Sequence, residues 1–354
     1  MSATETNVGG SFNTTPHDIH TLQYHSDVVE YCTIDQYNQI CAVGNYQLNH
    51  ETRIKTGCVY LYQLDSTHNK LHQLSHIPTC AVLDLKWSYR LINTSNAVLG
   101  MAGENGHICT YSLTNDNTLQ PITSLQLSAG LCLSIDWNNH LCNSNDIQLS
   151  TSDTNGSIYT AKYTPNGLQL SHKYTAAHAG EIWCTHYSIH DHSVLYSGAD
   201  DSVFKQWDVR SNTMVMNNTT SHNAGVCTIQ TSLHNPFWLV SGSYDGYVRV
   251  FDVRNLRRPI HQHELHGGVW RVKWHPTRSN TLVAACMHNG THVVKIQQDS
   301  CQSDISMNTL SSYMDHTSLS YGVDWCNDSN AANYVTSCSF YDKQLHLWSI
   351  NEFS

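Results

Sequence analysis

The sequence predicts an all-β fold: a propeller of about seven four-stranded blades, closed into a ring by an N-terminal strand. Three observations predict it. "LYSGADDSVFKQWDVR" at 195–210 recurs as "LVSGSYDGYVRVFDVR" at 239–254, a displacement of 44 residues. Weaker copies occupy 99–113, 149–163, 283–296 and 335–350, with a further unit divided between 40–48 and 56–64. No stretch sustains apolar residues at i, i+3, i+4 and i+7 over three turns, so helices do not compete for the chain.

Each element follows from this pattern. A period of about 40–45 residues, with Ser-Gly on the second strand, Asp in the tight turn after it and Trp-Asp closing the third, marks a WD40-type β-propeller. Alternating first strands precede the copies: "AVLDLKW" (81–87), "LCLSIDW" (131–137), "EIWCTHY" (181–187), "VCTIQTS" (226–232), "VWRVKWH" (269–275) and "YGVDWC" (321–326). Residues 1–16 are expected to be a disordered tail and 17–354 a single domain. "DIHTLQYH" (18–25) then supplies the outer strand of the last blade, which leaves only short protected edges. The polar, aperiodic segments 49–56, 64–72 and 299–317 are expected as flexible loops. "GGVWRVKWHP" (267–276) reads as the first strand of the sixth blade, its glycines in the turn that leads in from the fifth. That turn and the turn after each second strand open on one face of the ring. Functional side chains are expected there, because loops on a rigid scaffold usually carry the chemistry.

Composition narrows the function. The chain has 354 residues, 40% of them hydrophobic, and a formal net charge of −10 from 28 acidic and 18 basic residues. An acidic surface argues against nucleic acid and anionic membrane as partners, and favours a cationic one. The polar opening segment and the lack of a long apolar run lead to an expectation of a cytoplasmic chain. The 13 cysteines are scattered without paired spacing, and free buried thiols are expected. Neither C-x-x-C nor H-E-x-x-H occurs, so neither a metal nor another cofactor is expected. Without an evident apolar patch for self-association, a monomer is expected.

Several residues stand out. His178, Ser197, Asp201 and Trp207 match the buttressing set of a WD blade. A G-x-S-x-G elbow, a P-loop and a dinucleotide fingerprint are absent. Blade six departs from its siblings: "ACMHNG" places Cys286 and His288 where Ser and Asp are expected. A turn histidine can act as a general base near neutral pH, while a buried Cys is usually a small hydrophobe. Trp183, Trp270, Tyr321, Tyr244 and Tyr341 collect in the same turns as Glu181, Asp245, Asp324 and Asp342. Such a mixture suits a quaternary ammonium group held by cation–π contact, or an ordinary packing of rings between blades.

"SYDGYVRVFDVRNLRRP" (243–259), "GGVWRVKWHP" (267–276), "AACMHNG" (284–290), "YGVDW" (321–325) and "SCSFYDKQLHLW" (337–348) together resemble the WD-repeat diphthine methylesterases of diphthamide biosynthesis. Shorter echoes at 44–48, 81–87 and 134–137 extend the resemblance along nearly the whole chain. The resemblance implies a hydrolase that removes a methyl ester from methylated diphthine on translation elongation factor 2, releasing methanol. Its substrate carries a trimethylammonium group, which an acidic, aromatic-lined face would suit. On this reading His288 is the expected general base, with Arg271 or the turn N–H groups of Gly267 and Gly268 polarising the oxyanion. A covalent Cys286 intermediate, and a carboxylate base among Asp245, Asp324 and Asp342, stay open beside it. The competing class is a non-enzymatic adaptor: "WDVR" (207–210) and "FDVR" (251–254) resemble the signature of cullin-type ubiquitin-ligase substrate receptors, with Arg210 and Arg254 as contacts.

Overall fold

The computed structural model describes residues 12–92, 96–141, 146–298 and 305–351. Seven four-stranded antiparallel sheets form the ring. From blade one to blade seven the inner strands are His25–Tyr31, Val82–Trp87, Cys132–Trp137, Cys184–Tyr187, Val226–Thr231, Val269–Trp274 and Ser320–Trp325. The closing strand Thr14–Thr21 pairs antiparallel with Gln344–Ile350, Thr14 opposite Ile350 and Thr21 opposite Gln344. Two single 3-10 turns, Asp35–Tyr37 and Glu104–Gly106, are the helical content among the described residues.

Local chemistry explains the joints. On the second strands of blades four and five, Gly198 and Gly242 let the next blade's inner strand come close. A Cβ on either would lie 2.5 Å from Cγ1 of Val226 or Val269 respectively. The inner-strand tryptophans tie successive blades: the indole N–H groups of Trp87, Trp137 and Trp325 donate to the carbonyls of Glu30, Lys86 and Lys273 at 3.0, 2.9 and 3.2 Å. In blade four His178 meets Ser197 Oγ at 2.8 Å and Asp201 at 3.1 Å, while Trp207 Nε1 donates to Ser197 Oγ at 2.9 Å. That quartet is structural, since buried polar groups need partners. Every described cysteine is a free thiol.

Three expectations need adjustment. The closing strand begins at Thr14, within the span expected as tail, and it ends at Thr21; His25 already starts the inner strand of blade one. The alternation of "DIHTLQYH" runs through a reversal at Leu22, whose N–H donates to the Lys343 carbonyl at 2.8 Å. Within 299–317, Ile305–Tyr313 is the outer strand of blade six, anchored by buried Met307, Leu310 and Tyr313. Its sequence is polar because an outer strand turns much of its surface to water. The segments 49–56 and 64–72 shrink to tight turns between the strands Ile40–Leu48, Lys55–Asp65 and Lys70–Thr79. In the second, the Asp65 carboxylate accepts the N–H groups of Thr67 and His68.

Candidate active site at the axial mouth

A register break recurs on the inner strands. Pairing with the second strand skips from Ser26 to Val28, Val82 to Asp84, Cys132 to Ser134, Val226 to Thr228, Val269 to Arg271 and Ser320 to Val323. Bulges of this kind re-aim a side chain away from the sheet. In blade four the pairing simply begins at Cys184, just after Trp183. The consequence is one ring of equivalent side chains around the axis: Asp27, Leu83, Leu133, Trp183, Cys227, Trp270 and Tyr321. All seven line a cavity of about 270 Å³, shared with Tyr46, Lys55, Leu131, Thr154, Glu181 and Arg271.

The cavity is divided in character. Leu83, Leu131 and Leu133 give blades two and three an aliphatic wall. Across from them the ring centroids of Trp183 and Trp270 are 5.4 Å apart, and those of Trp270 and Tyr321 are 5.0 Å apart. Asp27 stands at the seam, between Tyr321 of blade seven and Leu83 of blade two. Burial pushes its carboxyl up to about 7, against the pull of the Arg271 guanidinium; the Asp84 carboxylate adds to the rise. Arg271 reaches across the axis to Asp84, Nη2 to Oδ1 at 3.2 Å, and its Nε has no hydrogen-bond partner. Asp84 is fixed in turn by accepting the Ile135 N–H at 3.0 Å. A proton acceptor poised near neutrality, a fixed cation and a three-ring aromatic wall therefore share one small cavity.

The structure brings together Trp183, Trp270, Tyr321, Glu181 and Arg271 of the expected set, and keeps the others apart. His288 is exposed on the turn after the second strand of blade six, where it lines a separate cavity with Tyr341. Cys286 is wholly buried in the core of blades five and six, and burial pushes its thiol far up, which rules out a ready nucleophile. Asp245 is engaged by Arg249 at 2.9 and 2.7 Å and by the Asn223 and Tyr247 N–H groups, so its carboxyl is held low. Asp342 likewise accepts from Ser339 and from Thr317 N and Oγ1. Tyr244 is exposed on the blade-five turn. Neither Gly267 nor Gly268 lines the mouth. A Cβ on Gly267 would meet that of Asn289 at 2.8 Å, so this glycine serves the packing of two turns within blade six.

Asp324 belongs to a second, buried ring on the side of the axis away from the mouth. Glu30, Lys86, Asp136, His186, Gln230, Lys273 and Asp324 occupy equivalent inner-strand positions there. Lys86 Nζ donates to Glu30 at 2.7 Å, Lys273 pairs with Glu30 and lies 3.5 Å from Asp324, and His186 is 3.0 Å from Asp136. Asp324 also accepts the Tyr31 N–H at 2.8 Å, latching blade seven to blade one. There it lines a different cavity, together with Glu30, Lys86 and Lys273. The two arginines of the adaptor expectation are exposed, each gripping its own aspartate: Arg210 to Asp208 at 2.7 Å, and Arg254 to Asp252 at 2.5 Å.

Asp27 is the site residue that the sequence reading missed. A signal existed. Counting four residues back from the inner-strand ends Tyr31, Trp87, Trp137, Tyr187, Thr231, Trp274 and Trp325 lands on the seven mouth residues in turn.

Comparison with known proteins agrees with the propeller fold. Residues 215–252 match the family described as "WD domain, G-beta repeat". The fold is shared with a chain of the "Crystal Structure of Mitotic Checkpoint Complex", with a TM-score of 0.73 at 17% identity over 99% of this chain and 97% of that one. A mouse protein named "Diphthine methyltransferase" is 33% identical over 85% of this chain and 67% of its own length. A Dictyostelium discoideum protein named "Diphthine methyltransferase homolog" is 30% identical over 92% of this chain and 97% of its own. With relatives of that similarity along nearly its whole length, the chain belongs to the diphthine methyltransferase family of WD-repeat proteins.

Proposed function

We propose that the protein hydrolyses the methyl ester of methylated diphthine on translation elongation factor 2, with water as the nucleophile, and that Asp27 is its general base. The observation that carries the reading is a carboxyl raised to about 7 in the same cavity as Arg271 and the Trp183, Trp270 and Tyr321 rings. A catalytic base works best with a pKa near the operating pH. The volume, slightly below the range of about 300–1,000 Å³ typical of drug-sized ligand sites, suits a single modified side chain.

In the proposed reaction the trimethylammonium group rests against the three rings, each worth about 0.5–2 kcal/mol. Ionised Asp27 takes a proton from water as its oxygen attacks the ester carbonyl. The carbonyl oxygen gains charge opposite the guanidinium of Arg271, which lines the same cavity. Collapse of the tetrahedral intermediate expels the methoxy group, which takes the proton from Asp27 and leaves as methanol. The carboxylic acid then ionises to solvent, and Asp27 is returned to its starting form.

Mass spectrometry of elongation factor 2 bearing the methyl ester, before and after incubation with the purified protein, tests this. Loss of one methylene mass with release of methanol is expected. An unchanged mass with a verified substrate would overturn the assignment and leave a propeller that binds without catalysing.

A further inference from the structure

The aromatic character of the mouth continues outward over the same face. The Tyr321 ring lies 5.3 Å from Phe340, and Phe340 lies 5.1 Å from Tyr341 and 4.9 Å from His25. This path ends at Tyr341, 67% exposed, on a second cavity of about 480 Å³. Met314, 53% exposed, His288 and Leu319 share its lining with Tyr341. No carboxylate lines this cavity, but two border it. Exposed Asp315 sits between the lining residues Met314 and His316, the Asp342 carboxylate bonds to the lining Thr317, and no Lys or Arg is among the lining residues.

A reactive cavity large enough for one side chain cannot recognise a protein by itself. Selectivity for a protein must come from the surface around the mouth, and the second cavity is joined to it by a chain of touching rings. A lysine or arginine fits its chemistry: the methylene stem would lie against Tyr341 and Met314 while the charged end meets Asp315. We propose that this cavity between blades six and seven is a docking subsite for a basic side chain of the protein substrate, close to the modified residue. The proposal rests on the reading of the mouth as the reactive site, and it gives the unusual His288 turn a role in recognition.

Two substrates separate the surfaces: elongation factor 2 bearing the methyl ester, and glycine betaine methyl ester, which presents only the quaternary ammonium and the ester. Tyr341→Ala and Asp315→Lys change exposed turn residues, and thermal melting of both variants verifies the fold. The expected result is a KM for the protein substrate raised about tenfold or more in each, the size of a recognition hot spot, with hydrolysis of the small ester unchanged. An unchanged protein KM in both variants would overturn the docking subsite, as would an equal loss on the small ester. The Kd for the ester-bearing protein is measured in parallel. If the unmodified chain hydrolyses neither substrate, the reading of the mouth falls, while an unchanged Kd in the variants would by itself overturn the subsite.

Discussion

Replacing Asp27 with Asn should lower activity and raise stability together, with opposite dependences on the presence of its charge. The folded carboxyl keeps its proton up to about 7, whereas in the unfolded chain it releases it near its ordinary 3.8. Between those values the folded state binds more protons, so the contribution of Asp27 to stability falls as pH rises. At about 1.4 kcal/mol per pH unit the full effect is about 4 kcal/mol, complete above pH 7 and absent below pH 4. Asn fills nearly the same space without the charge. Denaturant unfolding at pH 4 should therefore find the two proteins alike, and at pH 8.5 the variant more stable by several kcal/mol. Ester hydrolysis should fall by about 10²–10⁴, the usual contribution of a positioned base. Equal stability at both pH values would refute the buried-charge argument. A fully active variant would refute the base assignment.

Other outcomes follow from the same geometry. In the unmodified protein, kcat/KM should rise with pH through about 7 as Asp27 ionises; Arg271→Lys, with its charge displaced from Asp27, should move that limb upward and lower the rate by about 10²–10³, as measured in a pH–rate series. Trp270→Leu should raise KM for a trimethylammonium ester by about three- to thirtyfold, yet leave a neutral tert-butyl analogue nearly unaffected. Cys286→Ala should retain full turnover and cost about 1–2 kcal/mol of stability by urea unfolding, since the thiol only fills core space. Burial holds His222, His275 and His316 near about 3, well below their ordinary 6.5. Their neutral forms stabilise the fold fully above pH 6.5, and that stability is lost as pH falls from 6.5 towards 3, so melting temperatures should drop across this acid range and recover in part in His316→Gln.

The ring could be read before any coordinates because each blade repeats its own local grammar. "YSGADDSVFKQWD" contains a second strand, a tight turn and a third strand, and the Gly198 contact with Val226 shows why the small residue recurs. Outer strands were harder. "ISMNTLSSY" is polar on its solvent side, and its place is decided by backbone pairing with Thr291–Gln298. At the site, Trp183, Trp270, Tyr321, Glu181 and Arg271 were recognisable as unusual residues near turns. His288 was equally unusual and lies elsewhere, because a turn far from the axis opens on the same face as one beside it.

By itself the sequence determined the repeat, the strand order within each blade, the buttressing quartet of His178, Ser197, Asp201 and Trp207, and the family through its non-consensus blade six. These are properties of short stretches, and they need no knowledge of where the blades stand. Only the closed ring decided which residues share a cavity. Asp27 lies 243 positions before Trp270 in the chain, yet closure leaves only blade seven between blades one and six, and a bulge on each of the two inner strands turns the two side chains toward one axis. The raised carboxyl of Asp27 comes from that enclosure, since burial by several blades is what disfavours its charge.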